Sequence, residues 1–353
     1  MTKVFRKFPS IVQFSGVVKC VRDHAKHHSE PLPKIKFTGS TKLHGTNSGI
    51  GFNPAGEVWF QSRERLLSYE SDNAGFCTWG EQNLAVLKEI YKIVVEEECL
   101  EHDSFFIFGE WFGTSIQKGV AVSQLKEKKF GVFQMVFVKN GVGVRADGEP
   151  IDETFEIDPF NYHTVFNTRL PNTVVIDYIV PPFSIEIDFS EPHLVQNKLL
   201  ELTLAVEEEC PVGKYFGVAG VGEGIVWSTT EVDYLPKFKT KGEKHQSSKV
   251  TTVHELTEAE ITSKANAGEF VDFACTQNRL EQGITKLGEM GLPVEIKSMG
   301  AFLKWVGGDI LTECHDVLIE SKIERKDVMP RVADKARNWY LTYLNSELGL
   351  AAA

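Results

Sequence analysis

The spacing of apolar and polar positions changes character near residue 250. Before that point, short runs rich in β-branched and aromatic side chains recur at 35–37, 58–60, 105–108, 130–138, 173–179 and 224–227. That content predicts strands. Between them, Leu84, Leu87, Tyr91 and Val94 fall at helical spacing, which predicts a long amphipathic helix. Beyond residue 250, Phe273, Leu280, Ile284 and Leu287 share one helical face. Ile310, Cys314, Val317 and Leu318 share a second, and Val332, Ala336, Trp339 and Tyr343 a third. Residues 241–252 are polar and poor in apolar side chains, as in a linker. The pattern predicts an α+β fold class: a domain over 1–245 with antiparallel sheets and flanking helices, then a small all-helical domain over 253–353.

Composition agrees with two domains. The chain has 353 residues, 42% hydrophobic and 25% charged, which excludes a mainly disordered, collagenous or coiled-coil protein. No apolar run approaches the roughly 18 residues a membrane-spanning helix needs. The first residues lack the apolar stretch and cleavage site of a secretory leader. The 6 cysteines are scattered with no CxxC pair, so reduced thiols in an intracellular protein are expected rather than disulfides or structural zinc.

Charge is segregated. The formal net charge is −11, yet basic residues dominate between Lys3 and Lys42, with Asp23 and Glu30 among the few acids. A second basic cluster holds Lys237, Lys239, Lys241, Lys244 and Lys249, while acid concentrates in 147–158, 177–191 and 207–209. Two basic segments far apart in sequence can meet in the fold and serve an anionic partner.

The sharpest local signal is Lys42-Leu43-His44-Gly45-Thr46-Asn47, directly after a predicted strand. A strand-to-turn position holds an amine rigidly while Gly45 permits a tight turn. Alone, such a short pattern recurs by chance in roughly one chain in ten. Its weight comes from the ordered set of residues further along the chain. Glu110 sits at the end of an apolar run, Phe133 lies inside another, and Glu223 opens a third. Lys237, Lys239 and Lys241 alternate at period two, which puts three ammonium groups on one strand face and calls for an anion.

This order resembles motifs I, III, IIIa, IV and V of ATP-dependent RNA ligases and of their DNA-ligase and mRNA-capping relatives, the covalent nucleotidyltransferases. It is most similar to the RNA ligase 2 family of bacteriophages, which includes the kinetoplastid editing ligases. Three stretches carry that likeness: 42–47 with His44, Phe108-Gly109-Glu110-Trp111-Phe112-Gly113 with Ile116-Gln117-Lys118, and Asn278-Arg279-Leu280 with the segment 284–291. Helices after motif V, rather than the strands of an OB-fold, separate it from DNA ligases and capping enzymes. Those two remain the first rival reading, and a non-catalytic RNA-binding relative is the second.

The resemblance implies an enzyme that joins RNA 3′-OH and 5′-phosphate ends through lysyl-AMP and an adenylylated RNA end. ATP would be the nucleotide and Mg²⁺ (or Mn²⁺) the metal. Lys42 matches the nucleophile. A lysine attacks only as the neutral amine, so Lys239, Lys241 and the metal are expected to drive off its proton and to neutralise phosphate charge. Glu110 matches the ribose-binding carboxylate, Phe133 the ring stacked on adenine, and Glu223 the metal-binding carboxylate. Arg63 matches a phosphate-contacting arginine, with Arg65 as a rival, and His44 and Asn47 match groups that orient phosphates and RNA ends. Thr41 stands where the phage enzymes carry glutamate, and Ser228 where they carry lysine. The expected partner is RNA, in a nicked duplex or with a ribose-terminated 3′-OH strand. Arg279, Lys286, Lys297 and Lys304 are candidate phosphate contacts. A monomer acting inside a reducing cell is expected, with phage origin and the host cytoplasm implied by the nearest family.

Overall fold

The computed structural model describes residues 3–144, 150–242, 267–320 and 325–347. Among the described residues, ten strands form two sheets. Strands β1 (Lys34–Lys42), β8 (Phe183–Asp188), β9 (Gly224–Ser228) and β10 (Phe238–Lys241) make a four-stranded antiparallel sheet in the order β10-β9-β1-β8. Strands β2 (Thr46–Phe52), β3 (Val58–Ser62), β4 (Ser104–Phe112), β5 (Lys129–Val144) and β6 (Pro150–Ile157) are ordered β3-β2-β4-β5-β6, with β7 (Thr173–Val175) parallel to β5. Lys42 ends β1 in one sheet and Thr46 begins β2 in the other. Leu43-His44-Gly45 is therefore the joint between the sheets.

Period-two alternation decides what faces what. In β1, Ile35 and Phe37 are buried against Val17 and Val21 of the helix Phe14–His28. In β10, Phe238 enters the same core, and the Thr240 hydroxyl is bonded to Thr203 and to the Trp227 indole. Lys239 and Lys241 consequently take the opposite face. The larger sheet packs Phe52, Phe105 and Phe137 against the helices Phe76–Gln82 and Leu84–Glu98. Each fully buried ring contributes about 2–3 kcal/mol. The N-terminal segment crosses from sheet to sheet. Val4 and Arg6 bond to Trp59 and Gln61 beside β3, while Val12 pairs with Phe238 in β10.

Two expectations change. The strand predicted over 173–179 stops at Val175 and turns into one helical turn, Ile176–Ile179. Pro181 and Pro182 come next, and neither can donate to a ladder. The helical faces predicted across 273–287 and 310–318 are each split between two helices. Thr276 caps a new start at Gln277–Glu289 by accepting from Arg279 N, and Met299–Glu313 ends one residue before Cys314. Val332, Ala336, Trp339 and Tyr343 do lie on one helix, Arg325–Glu347. The expected linker beyond residue 242, with Lys244 and Lys249, lies outside the described residues.

The helical region has its own core of Leu280, Phe302, Val306, Ile310, Ala336 and Tyr340. Arg279 is fully buried within it, its Nε donating to Asp309 at 2.8 Å and its Nη1 to the Ala274 carbonyl. Asp309→Asn keeps an acceptor but removes the compensating charge, so unfolding in urea should show a loss of about 2 kcal/mol. An unchanged midpoint would mean that the ion pair adds nothing.

Candidate active site

Gly45 has to be glycine because of what passes beside it. A Cβ there would lie 2.4 Å from the Trp111 carbonyl and 3.0 Å from the Glu110 side chain. Its N–H donates to Glu110 Oε1 at 3.0 Å. The joint between the sheets is thereby pinned to β4, and Lys42 is delivered into the cleft with only partial exposure. Thr41, one residue earlier, takes the core face with Ile35 and Phe37. Its hydroxyl is buried without a hydrogen-bond partner among the described residues.

Glu223 organises the charge. Its Oε2 accepts from Lys42 Nζ at 2.7 Å and lies 3.3 Å from His44 Nδ1; its Oε1 accepts from Lys241 Nζ at 3.1 Å. The side chain is 2% exposed. Burial alone would raise its pKa, but Lys42, Lys241 and His44 outweigh it and hold the carboxyl well below the usual range. Gly224 makes this possible. Its φ is 150°, and a Cβ would meet the Thr240 carbonyl at 2.0 Å, so only glycine lets β10 lie close enough to bring Lys241 to Glu223.

Lys239 Nζ bonds to Glu313 Oε1 at 2.8 Å, a carboxylate from the helical region. Burial, then Lys241 and Lys42, lower the Lys239 pKa, with Glu313 opposing. For Lys241, burial is overcome by Glu223 and Glu313 and its pKa rises. The cluster is therefore not the bare crowd of cations that the sequence predicts. Carboxylates are interleaved, because buried ammonium groups without counter-ions are too costly. Lys237 does not join them; it reaches Gln134 at 2.9 Å and Glu156 at 3.5 Å.

Glu110 stands opposite Asn47 in the β2–β4 register. Burial, then Glu223 and Glu289, push its carboxyl up to about 7, against the pull of Lys42. A carboxyl raised in the folded state stabilises the fold fully below its ordinary value near 4.5, and that contribution is lost as pH rises through 7. Glu110→Gln should therefore gain on the wild type by up to about 3 kcal/mol in urea unfolding between pH 5 and pH 8. A difference independent of pH would contradict the shift.

Phe133 sits at a register shift. Val132 pairs with Gly109 and Gln134 with Phe108, leaving Phe133 as the extra residue of a β-bulge that redirects its ring. Phe8, from the crossing N-terminal segment, meets that ring edge-on at 5.2 Å. Arg65 is committed to the carbonyls of Leu66, Ser71 and Asp72, whereas among the described residues Arg63 has only a 3.9 Å approach to Glu64. Arg63 is thus the better placed of the two for an incoming anion.

The helical region also reaches the cleft. Glu289 accepts from Thr46 Oγ1 at 3.3 Å, and Gln117 accepts from Thr285 while donating to the Gly45 carbonyl. Glu313 and Phe8 carry no sequence signal for this role, because they look like an ordinary polar-face residue and a terminal residue; Glu289 lies in the segment 284–291 that carries the family likeness. For a metal, among the described residues no group of three His, Cys, Asp or Glu side chains is placed to hold one. A single buried carboxylate such as Glu223 would suit a Mg²⁺ that takes its other ligands from water and phosphate.

A family model described as RNA ligase matches residues 35–251, which include Lys42, Glu110, Phe133, Glu223, Lys239 and Lys241. The chain belongs to the RNA ligase family. A search of curated proteins finds no match. Among solved structures, this RNA ligase family member is similar to a Naegleria gruberi RNA ligase mutant with ATP and Mn: 14% identity, TM-score 0.42, covering 69% of this chain and 58% of that one. The same ligase with PPi gives 14% identity and a TM-score of 0.40, covering 69% and 60%. The match thus spans under two thirds of the length of the Naegleria protein. Among the described residues no helix is long and apolar enough to cross a membrane.

Proposed function

We propose that the chain is an ATP-dependent RNA ligase of the phage RNA ligase 2 type. Lys42 attacks the α-phosphorus of ATP; a P–N bond forms and the bond to pyrophosphate breaks. AMP then passes to an RNA 5′-phosphate as an anhydride, freeing Lys42, and a 3′-OH attacks that phosphate and expels AMP. The observation that supports this most is the shared carboxylate: Glu223 links Lys42 and Lys241 across two strands distant in sequence, within electrostatic reach of Glu110. Lys239 and Lys241 neutralise the phosphate oxygens in transfer. A divalent cation held by Glu223 would add to that neutralisation and compete with Lys42 for the carboxylate. Glu110 accepts from ribose hydroxyls and the Phe133 ring stacks on adenine. Thr41, with its side chain in the core, offers the base only its backbone.

In this reading residues 1–245 transfer AMP and residues 253–353 engage the RNA, which acts as a nicked duplex with ribose on the 3′-OH side. Arg279 is withdrawn from that role by its burial, and Lys286 is paired with Glu289 and Glu64. Lys297 and Lys304 are exposed and available to phosphates. Two comparisons test the reading. Labelled ATP, not GTP, should become attached to the protein, and a nick ending in ribose should be sealed faster than one ending in deoxyribose. Attachment of GMP would favour a capping enzyme, and equal sealing of both nicks a DNA ligase.

A further inference from the structure

Lysines gather in the segment that follows β4 and touches the Lys42 turn. Between residues 113 and 129 the charged residues are Lys118, Lys126, Glu127, Lys128 and Lys129. In a chain of net charge −11 such a local excess of lysine needs a reason. Its path begins at the reacting joint, where Gln117 donates to the Gly45 carbonyl at 3.2 Å. Gly113, Ser115, Gln117 and Gly119 all have positive φ (125°, 63°, 56° and 78°), a strained course for Ser115 and Gln117 that the contacts of the loop must hold.

The far end of the strip is aromatic. Lys129 Nζ lies 5.0 Å from the centre of the Phe216 ring, and Phe216 meets Tyr215 edge-on, also at 5.0 Å. Tyr215 is 56% exposed, and its hydroxyl has no hydrogen-bond partner among the described residues. Phe112, the end of β4, lies 6.5 Å from Phe216 and joins this ridge to the cleft. Lys118 and Lys126 are exposed, and neither forms an ion pair among the described residues. Lysines spaced along a loop with a tyrosine at its end match a nucleic-acid backbone: ammonium groups meet phosphates, while the phenol hydrogen-bonds to sugar or phosphate oxygens. An acidic protein partner would use the lysines but has no sugar edge for Tyr215.

We propose that the strip Lys118–Lys126–Lys129–Tyr215 carries the RNA backbone flanking the junction, with the lysines on phosphates and Tyr215 on a ribose edge. This rests on the proposed ligase activity, but its test does not use catalysis. Binding of a fluorescent nicked RNA duplex to the full chain is measured without ATP over a range of KCl concentrations. Losing two phosphate contacts in Lys118→Ala/Lys126→Ala should reduce the slope of log K against log[salt] by roughly 1.5–2 and weaken binding about tenfold near 0.1 M salt. Tyr215→Ala should weaken RNA binding more than binding of the same nick in DNA. Transfer of AMP from ATP to the protein should be unchanged in these variants, which shows that they are folded. An unchanged salt slope and affinity in the lysine variant would overturn the proposal, as would an equal loss for RNA and DNA in Tyr215→Ala. Failure of the wild type to accept AMP would instead refute the ligase activity itself.

Discussion

Lys42→Ala is expected to abolish attachment of AMP to the protein, with no signal above background after incubation with labelled ATP and Mg²⁺. The reason is geometric as well as chemical. Lys239 is tied to Glu313 of the helical region, and Lys241 lies within β10 and shares Glu223 with Lys42. Only Lys42 is carried on the joint between the two sheets. Lys42→Arg is the informative control. A guanidinium keeps the ion pair with Glu223, and hence the local fold, but stays charged and does not attack. It should therefore be as inactive as alanine while unfolding at the wild-type urea midpoint. In the wild type the label should survive alkali and be released by acid, as a phosphoramide is. Label retained in either variant would place the reacting group elsewhere.

Glu223→Gln should lower both activity and stability. The substitution leaves Lys42 and Lys241 buried beside one another without the carboxylate they share, and removing one member of a buried ion pair typically costs about 3–5 kcal/mol. AMP attachment should fall at least 10²-fold, roughly the loss seen when one preorganised electrostatic group is removed from a phosphoryl or acyl transfer site. The pH dependence has a definite sign. A carboxyl held below its usual range stabilises the fold above its unfolded pKa, and that contribution disappears as pH falls through the depressed value. The wild type should therefore lose its advantage over Glu223→Gln progressively in acid, as pH falls below the ordinary carboxyl value of 4.5. A stability gap that persists at low pH would contradict the assignment of Glu223 as the shared counter-ion.

What the sequence made legible is local. Lys42, His44 and Gly45 lie within four residues, and the period of two in Lys239 and Lys241 guarantees a common face once 238–241 is a strand. What stayed hidden is non-local. Glu313 belongs to the polar face of a helix and is separated from Lys239 by 74 residues. Phe8 reads as part of a basic N-terminal segment, yet it packs against the Phe133 ring. The helix Phe14–His28 was hidden by its charge, although Val17, Val21 and Ala25 repeat every fourth position. The redirected ring of Phe133 depends on a bulge that no local pattern announces. Carboxylates also changed the electrostatics: the lysines and Glu223 were readable as site residues, but Glu223 as their shared counter-ion and Glu313 were not.

Peptide mapping by mass spectrometry of the full chain after reaction with ATP and Mg²⁺ tests the central claim most directly. The expected result is the mass of one AMP on a single peptide, with fragmentation placing it on Lys42. AMP on Lys239, Lys241 or any other side chain, or no adduct in a protein that binds ATP, would contradict it.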